Sequence, residues 1–408
     1  MNVKSITNRI KKNDAQSQKN DKNKIIGALL KKRRVEMNKT ISEFSDGICS
    51  ISYQSKVESN KIIPRPEYLS LLMERANINI NEIDAIQNSE ELLRRSINYF
   101  FDQNEIMYKA FIEEYENIKD NPCIEIIRFG YYTLTYEYNK ATDSFDSILK
   151  YASSLDQKML LTVAYFAGFY HLYLKQYKEA EEIESVFSSI ILDKDFYLPF
   201  LDFKFELHLS EGKYIALIRE YDRLLDECIL NNELCKITKY KMMYSRMLID
   251  RDEIKDALEI LYPLNDSFSP YENDTLNYLL SICFYKLGNT IGCKEFLDEI
   301  APVSPYFRYV LDMKYELSED KDDFLSFVKL LVKENKNDFY LNYFIQSKSQ
   351  TLSLDIINSD AFKEEYQISD FSGKLRLLKI QYDLFCSESR YKDACQILNK
   401  INRIRHLI

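Results

Sequence analysis

Six residues within one short stretch, Ser50, Ser52, Tyr53, Lys56, Asn60 and Lys61, bring together hydroxyls, an amide and two ammonium groups. If Ser52 to Glu58 form a short helix, its first half presents Ser52, Tyr53 and Lys56 where they reach base edges in a DNA major groove. Ser50, Asn60 and Lys61 then flank it where phosphates lie. A second set is spread along the chain: Tyr165, Phe169, Lys239, Arg246, Tyr278 and Arg376, with Arg308 and Asn342 beside them. Their basic and amide groups suit the carboxylate and unsatisfied backbone of a short peptide, and their rings suit its apolar side chains. For any single ring the ordinary use is packing between helices, so only the ensemble points to a groove.

Bond-making chemistry finds no such clusters. There is no phosphate-cradling glycine loop, no dinucleotide fingerprint, no nucleophile elbow and no His-Glu-x-x-His pair. Acidic neighbours such as Glu113-Glu114 and Glu181-Glu182 read as solvated helix faces. The eight cysteines contain no C-x-x-C spacing, and the three histidines, His171, His208 and His406, stand far apart. The expectation is a protein without catalysis, metal or cofactor.

Helices must position these groups. With only eight Gly and eight Pro in 408 residues, turn residues are too few for a sandwich or barrel of this length. No apolar run approaches the roughly 20 residues that span a bilayer, and the first twenty residues lack the apolar core of an export signal. A cytoplasmic protein is expected. The net charge of −9 is divided: residues 1–80 hold 16 Lys and Arg against 8 Asp and Glu, and the remainder holds 39 against 56. A basic head on an acidic body can meet nucleic acid through the head alone.

The head reads as follows. Residues 1–23 mix Lys, Asn, Gln, Asp and Ser without apolar periodicity and predict a flexible basic arm. Ile25, Ile26, Leu29, Leu30 and Val35 then mark the inward face of a first helix that carries Lys31, Lys32 and Arg33 outward. Thr40 caps a second helix with Ile41 and Phe44 inward, Gly47 allows a tight turn, and Ser50 caps a third. A fourth, Glu67 to Ala76, turns Leu69, Leu72 and Met73 inward.

Beyond residues 81–120, which predict linker helices, a turn of one form recurs: Tyr177-Lys-Glu-Ala180, Tyr214-Ile-Ala-Leu217, Ile254-Lys-Asp-Ala257, Thr290-Ile-Gly-Cys293 and Tyr391-Lys-Asp-Ala394. The first four begin 37, 40 and 36 residues apart, and the last gap of 101 fits three units. Such a period is that of stacked antiparallel helix pairs, each unable to bury both apolar faces alone. Pairs are expected at about 121–152, 155–192, 195–230, 232–265, 273–301, 304–335, 337–368 and 370–407.

Residues 26–78 resemble the Xre-type helix-turn-helix. The segment GICSISYQSKVESNKIIP is similar to the version in RRNPP-type peptide-sensing regulators of the NprR-like and PlcR-like branches. It carries an Arg on the first helix (Arg33 or Arg34), Ser55 and Glu58 in Ser-x-x-Glu spacing, and a following Pro64. Gln54 departs from the pattern, standing where an apolar residue usually packs inward. The resemblance implies an all-α chain: a five-helix Xre-type domain over 24–80, then a tetratricopeptide-like right-handed superhelical solenoid over 121–408. It further implies a homodimeric quorum-sensing regulator that binds double-stranded DNA through its head and a signal peptide in the concave groove. Two alternatives stand beside it: a repeat adaptor that sequesters a signalling protein, and a phage arbitrium-type peptide receptor.

Overall fold

The computed structural model describes residues 4–14, 22–59, 61–62, 64–78, 85, 88–118, 121–264 and 270–406. Every regular element among them is helical, and none of these helices is long and apolar enough to cross a membrane. The chain divides into two compact units, Met1–Lys204 and Phe205–Ile408.

The first unit opens with a helix where the sequence predicted an arm. Helix α1, Lys4–Asp14, packs on helices Gln157–Tyr173 and Tyr177–Ser188 and buries Ile6 and Ile10. Two apolar residues one turn apart make too narrow a stripe for periodicity to register. Four head helices follow: α2 Lys22–Glu36, α3 Ile41–Ser45, α4 Ile51–Glu58 and α5 Pro66–Arg75. Their starts obey local chemistry. Thr40 and Glu43 close a reciprocal capping box on α3, Gly47 turns at φ +69°, Ser50 caps α4, and Pro66 opens α5. Ile25, Ile26, Leu29, Leu30, Phe44, Val57 and Leu72 fill the interior. Val35 does not join them, being 55% exposed. The inward stripe of α2 continues from Leu30 by four residues to Arg34, whose guanidinium takes that position.

Helices α6 Ser89–Phe101 and α7 Glu105–Glu113 lead into the hairpins. In the first unit these are α8 Pro122–Leu134 with α9 Tyr138–Leu149, and α10 Gln157–Tyr173 with α11 Tyr177–Ser188. Helix α12 Lys194–Glu211 is followed by α13 Tyr214–Leu230, α14 Leu234–Asp250, α15 Ile254–Leu261, α16 Pro270–Lys286 and α17 Thr290–Asp298. A single 3-10 turn, Phe307–Tyr309, precedes α18 Leu311–Leu317, α19 Lys321–Glu334 and α20 Phe339–Lys348. The short α21 Asp355–Asn358, then α22 Asp360–Ile368, α23 Phe371–Ser387 and α24 Tyr391–His406, complete the chain. From α8 onward these elements follow the eight expected pairs to within four residues, with a short extra element in the sixth and the seventh.

Six joints share one geometry. Tyr136, Lys175, Gly212, Asp252, Gly288 and Ser389 stand at φ between 56° and 74°, each two residues before the second helix of a pair. Three residues into that helix, Ala141, Ala180, Leu217, Ala257, Cys293 and Ala394 are all buried. Close approach elsewhere needs glycine: a Cβ on Gly168 would lie 2.8 Å from the Phe203 ring.

Two joint glycines separate the cost of backbone conformation from that of crowding. A Cβ on Gly288 (φ +73°) would meet open space, whereas one on Gly212 (φ +74°) would lie 2.4 Å from the Phe371 ring. Gly288→Ala is expected to cost about 1–2 kcal/mol. Gly212→Ala is expected to cost a further 1–3 kcal/mol or so, because Phe371 must be displaced. Urea unfolding of both variants checks the difference, and equal losses would show that Phe371 yields freely.

Candidate functional sites

In the second unit, the cationic residues singled out by sequence pair with carboxylates or tyrosines. Arg246 on α14 donates from Nη2 to Asp370 Oδ2 at 2.6 Å, bridging 124 positions of sequence. Burial opposes its charge, but Asp370 and Asp250 outweigh that and raise the guanidinium above its ordinary value. Asp370 also caps α23, its Oδ1 accepting from the Gly373 N–H at 2.9 Å. Beside this pair, Asp250 Oδ2 accepts from the hydroxyls of Tyr214, at 2.8 Å, and of Ser372. The Tyr214 ring meets Phe371 edge-on at 5.3 Å.

One turn further along α23, Arg376 donates to the Tyr278 hydroxyl and lies 4.2 Å over the Tyr309 ring. Tyr278 is itself stacked on Tyr306 at 4.7 Å. Arg308 lies over the Tyr309 and Tyr340 rings and stands 3.5 Å from both Asp338 and Glu365. Burial pushes the Glu365 carboxyl up, and Arg308 offsets this only in part. Lys239 pairs with Glu206 at 2.6 Å and lies over Tyr240.

Three assignments to a ligand face are corrected. Tyr165 and Phe169, in the first unit, are 1% and 2% exposed; both pack with Phe100 and with each other, Tyr165 also with Phe166 and Phe169 also with Phe203. They are core, because all but the ends of α10 is buried, leaving no outward ring face. Asn342 donates its side-chain amide to the carbonyls of Lys336 and Asp338, closing its own helix start. Sequence did not identify Asp250, Glu365 or Asp370. Asp370 three residues before Gly373 was legible as a cap, but its partner 124 positions away carries no local signal.

The head is held by a charged pair. Arg34 grips Glu58 with two hydrogen bonds, Nε to Oε1 at 2.7 Å and Nη2 to Oε2 at 2.8 Å, while Nη1 reaches the Lys39 carbonyl at 2.8 Å. Their side chains are only 12% and 4% exposed. The hydrogen bond to Glu58 raises the Arg34 guanidinium above its ordinary value despite burial. Gln54 is fully buried and donates to Glu58 Oε1 at 2.9 Å, so the departure from an apolar residue completes the carboxylate's partners. Helix α4 is thereby fixed to α2 through its last turn, and its opposite side faces outward.

On that outer side Ser52, Ser55 and Lys56 are exposed, as is Lys61 just beyond. Ser50 accepts from the Tyr53 N–H at 3.2 Å and keeps a hydroxyl proton to donate. Tyr53 has a structural duty in place of the expected base contact. Its hydroxyl accepts from the Arg65 N–H at 2.7 Å and its ring packs against Tyr68, fixing the entry to α5. Asn60 lies outside the described residues.

A compact helical head with one short helix presented outward, followed by helix pairs joined by a repeated turn, defines a helical-repeat protein with an N-terminal helical head. No protein-family model matches the chain. The transcriptional activator NprA of Geobacillus stearothermophilus is 26% identical over 257 residues, covering 61% of this chain and 45% of that protein, so the chain spans about half the length of the curated relative it matches. Among solved structures, a Rap protein complexed with Competence and Sporulation Factor aligns with a TM-score of 0.57 and 15% identity, over 78% of this chain and 98% of that one. The likeness to Rap is one of fold. PlcR of Bacillus thuringiensis, complexed with the peptide PapR7 and DNA, aligns at a TM-score of 0.35 and 15% identity over 66% of this chain and 98% of that one. NprA and Rap are of the RRNPP type that the head's residue pattern resembles.

Removing one partner of a buried ion pair strands the other. Glu58→Ala is therefore expected to destabilise the head by about 3–5 kcal/mol. The triple change Arg34→Met, Gln54→Leu and Glu58→Leu should recover most of that, because nothing charged is left behind. Hydrogen exchange of the α2 to α5 amides reads both effects; a Glu58→Ala head that exchanges like the parent would remove the pair from its holding role.

Proposed function

We propose that this chain is a cytoplasmic, peptide-responsive transcriptional regulator that binds promoter DNA through the head and a short signal peptide through the inner face of its repeats. The observation that carries the reading is the sequence similarity to the transcriptional activator NprA, on a chain whose head presents an exposed helix with Ser52 and Lys56 outward. In this reading α4 enters the major groove, Ser52 and Lys56 contact base edges, and Ser50, Asn60 and Lys61 hold phosphates. Tyr53 supports the helix from behind. Arg246, Arg308, Arg376 and Lys239 supply cations toward the peptide, and Tyr278, buried against Tyr306 rather than on the ligand face as expected, holds Arg376 in place. A single head makes few contacts, so the active form is a homodimer reading half-sites about 34–36 Å apart or a multiple of that.

A second reading has one observation in its favour, the fold likeness to Rap: the repeats then serve as an adaptor that sequesters a signalling protein. DNA binding separates the two. Lys56→Ala is expected to lower discrimination between operator sequences by about 1–3 kcal/mol. Lys61→Ala should weaken all sequences alike and flatten the salt dependence. Mobility shifts at two salt concentrations check both, and retention of DNA affinity after deletion of residues 1–80 would move the function elsewhere.

A further inference from the structure

The pairing of Arg246 with Asp370 lies on the face where the peptide reading puts a ligand's carboxylate. We propose that Asp370 is a built-in stand-in for that carboxylate: the carboxyl group of an entering peptide replaces Asp370 on Arg246 and so releases the start of α23. The inference rests on the peptide reading above and adds what the ligand must carry and what it must displace.

Geometry favours exchange at this pair. Asp370 accepts from Arg246 Nη2 through Oδ2, while its Oδ1 accepts from the Gly373 N–H. A free peptide terminus has both oxygens available and can take the guanidinium in a two-pronged contact, the stronger arrangement. Access favours it too. The Arg246 and Asp370 side chains are 37% and 29% exposed, against 12% and 4% for the Arg34–Glu58 pair that holds the head. Nor is the guanidinium stranded during exchange, since Asp250 also acts on its charge.

The consequence follows from what else the first turns of α23 hold. Phe371 packs on Tyr214 and over Gly212, Ser372 donates to Asp250, and Arg376 donates to the Tyr278 hydroxyl. These contacts join the late α23 to the first helix joint of the second unit, at Gly212 and Tyr214, and to α14 and α16. Releasing Asp370 loosens the turn from which all of them project. A ligand that binds only the released form draws the unit toward it.

The full-length protein and its Asp370→Asn variant are each equilibrated with two pools of synthetic random heptapeptides, one ending in free carboxyl groups and one in carboxamides. Retained peptides are quantified by mass spectrometry. Asparagine caps a helix as well as aspartate does, so the variant keeps the cap on α23 and loses the charge. Free-acid peptides are expected to be held about tenfold more tightly by the variant than by the parent, a difference of about 1.4 kcal/mol. Carboxamides should gain nothing, and the amides of residues 371–376 should exchange with solvent faster in the variant. Retention without a gain in the variant, or with equal gains in both pools, overturns the proposal and leaves the peptide reading standing. Unchanged exchange at 371–376 also overturns the proposal. Retention of no peptide by either protein overturns the peptide reading and the proposal with it.

Discussion

A helix pair closes only if the chain reverses within a few residues without leaving the carbonyls of the first helix bare. The six joints meet that constraint in one way. A residue at positive φ lets the next N–H reach back to the first helix, as from Gln176 to the His171 carbonyl, Lys213 to His208 and Arg390 to Phe385, each at 2.8 Å. Because the loop length is constant, the second helix always starts in the same phase, and its fourth residue is buried at the joint. A small or slender residue is needed there, which is why Ala recurs. Only Gly212 and Gly288 adopt this conformation freely; Tyr136, Lys175, Asp252 and Ser389 do so at about 1–2 kcal/mol each. Burial of the paired helices outweighs that cost.

In the second unit, long cationic side chains gather with tyrosines and carboxylates around the first turns of α23. Arg246, Arg308 and Arg376 lie among tyrosine rings and carboxylates, which satisfy the cations where water is partly excluded. Apolar residues of similar volume would hold such a face without the cost of desolvating charge. What they would lack is exchangeability. A guanidinium paired with an internal carboxylate can be re-paired with an external one without being left uncompensated, which is the exchange proposed for Arg246 and Asp370.

Much of this was legible, and the reasons for the rest are physical. The helix pairs were readable because joint and small residue recur at a fixed spacing; Tyr138-Asn-Lys-Ala141 carries the same signal one repeat earlier and had gone unread. In the head, Thr40, Gly47 and Ser50 announced their caps and turn because those interactions span three or four residues. Val35 was misplaced because the inward stripe of α2 passes from Leu30 to Arg34, one residue short of it, and the tie of Tyr53 to Arg65, twelve positions on, carries no local signal. Tyr165 and Phe169 lie on a helix that is apolar all round, and such a helix has no face to choose. Asp370 was out of reach for a different reason: a partner 124 positions away is set by the closure of the whole unit.

The misplaced rings of α10 acquire another significance within the first unit. Phe100, near the end of α6, packs against Tyr165, Phe166 and Phe169, while α1 packs on the same helix, α10. The segments that precede and follow the head in sequence are thus both anchored on α10, and Lys32 of α2 adds a third tie by lying 5.0 Å over the Tyr151 ring just before it. A head attached by one flexible linker would be blind to its repeats. This one is held before and after by elements that pack on a single helix, and within by a ring just ahead of it. Rigid packing is what makes the dependence obligatory: a ring such as Phe169, 2% exposed and in contact with four other rings, cannot shift without moving its neighbours. The aromatic density of α10 therefore does not form a ligand surface; it ties the placement of the head to the repeats of its own unit.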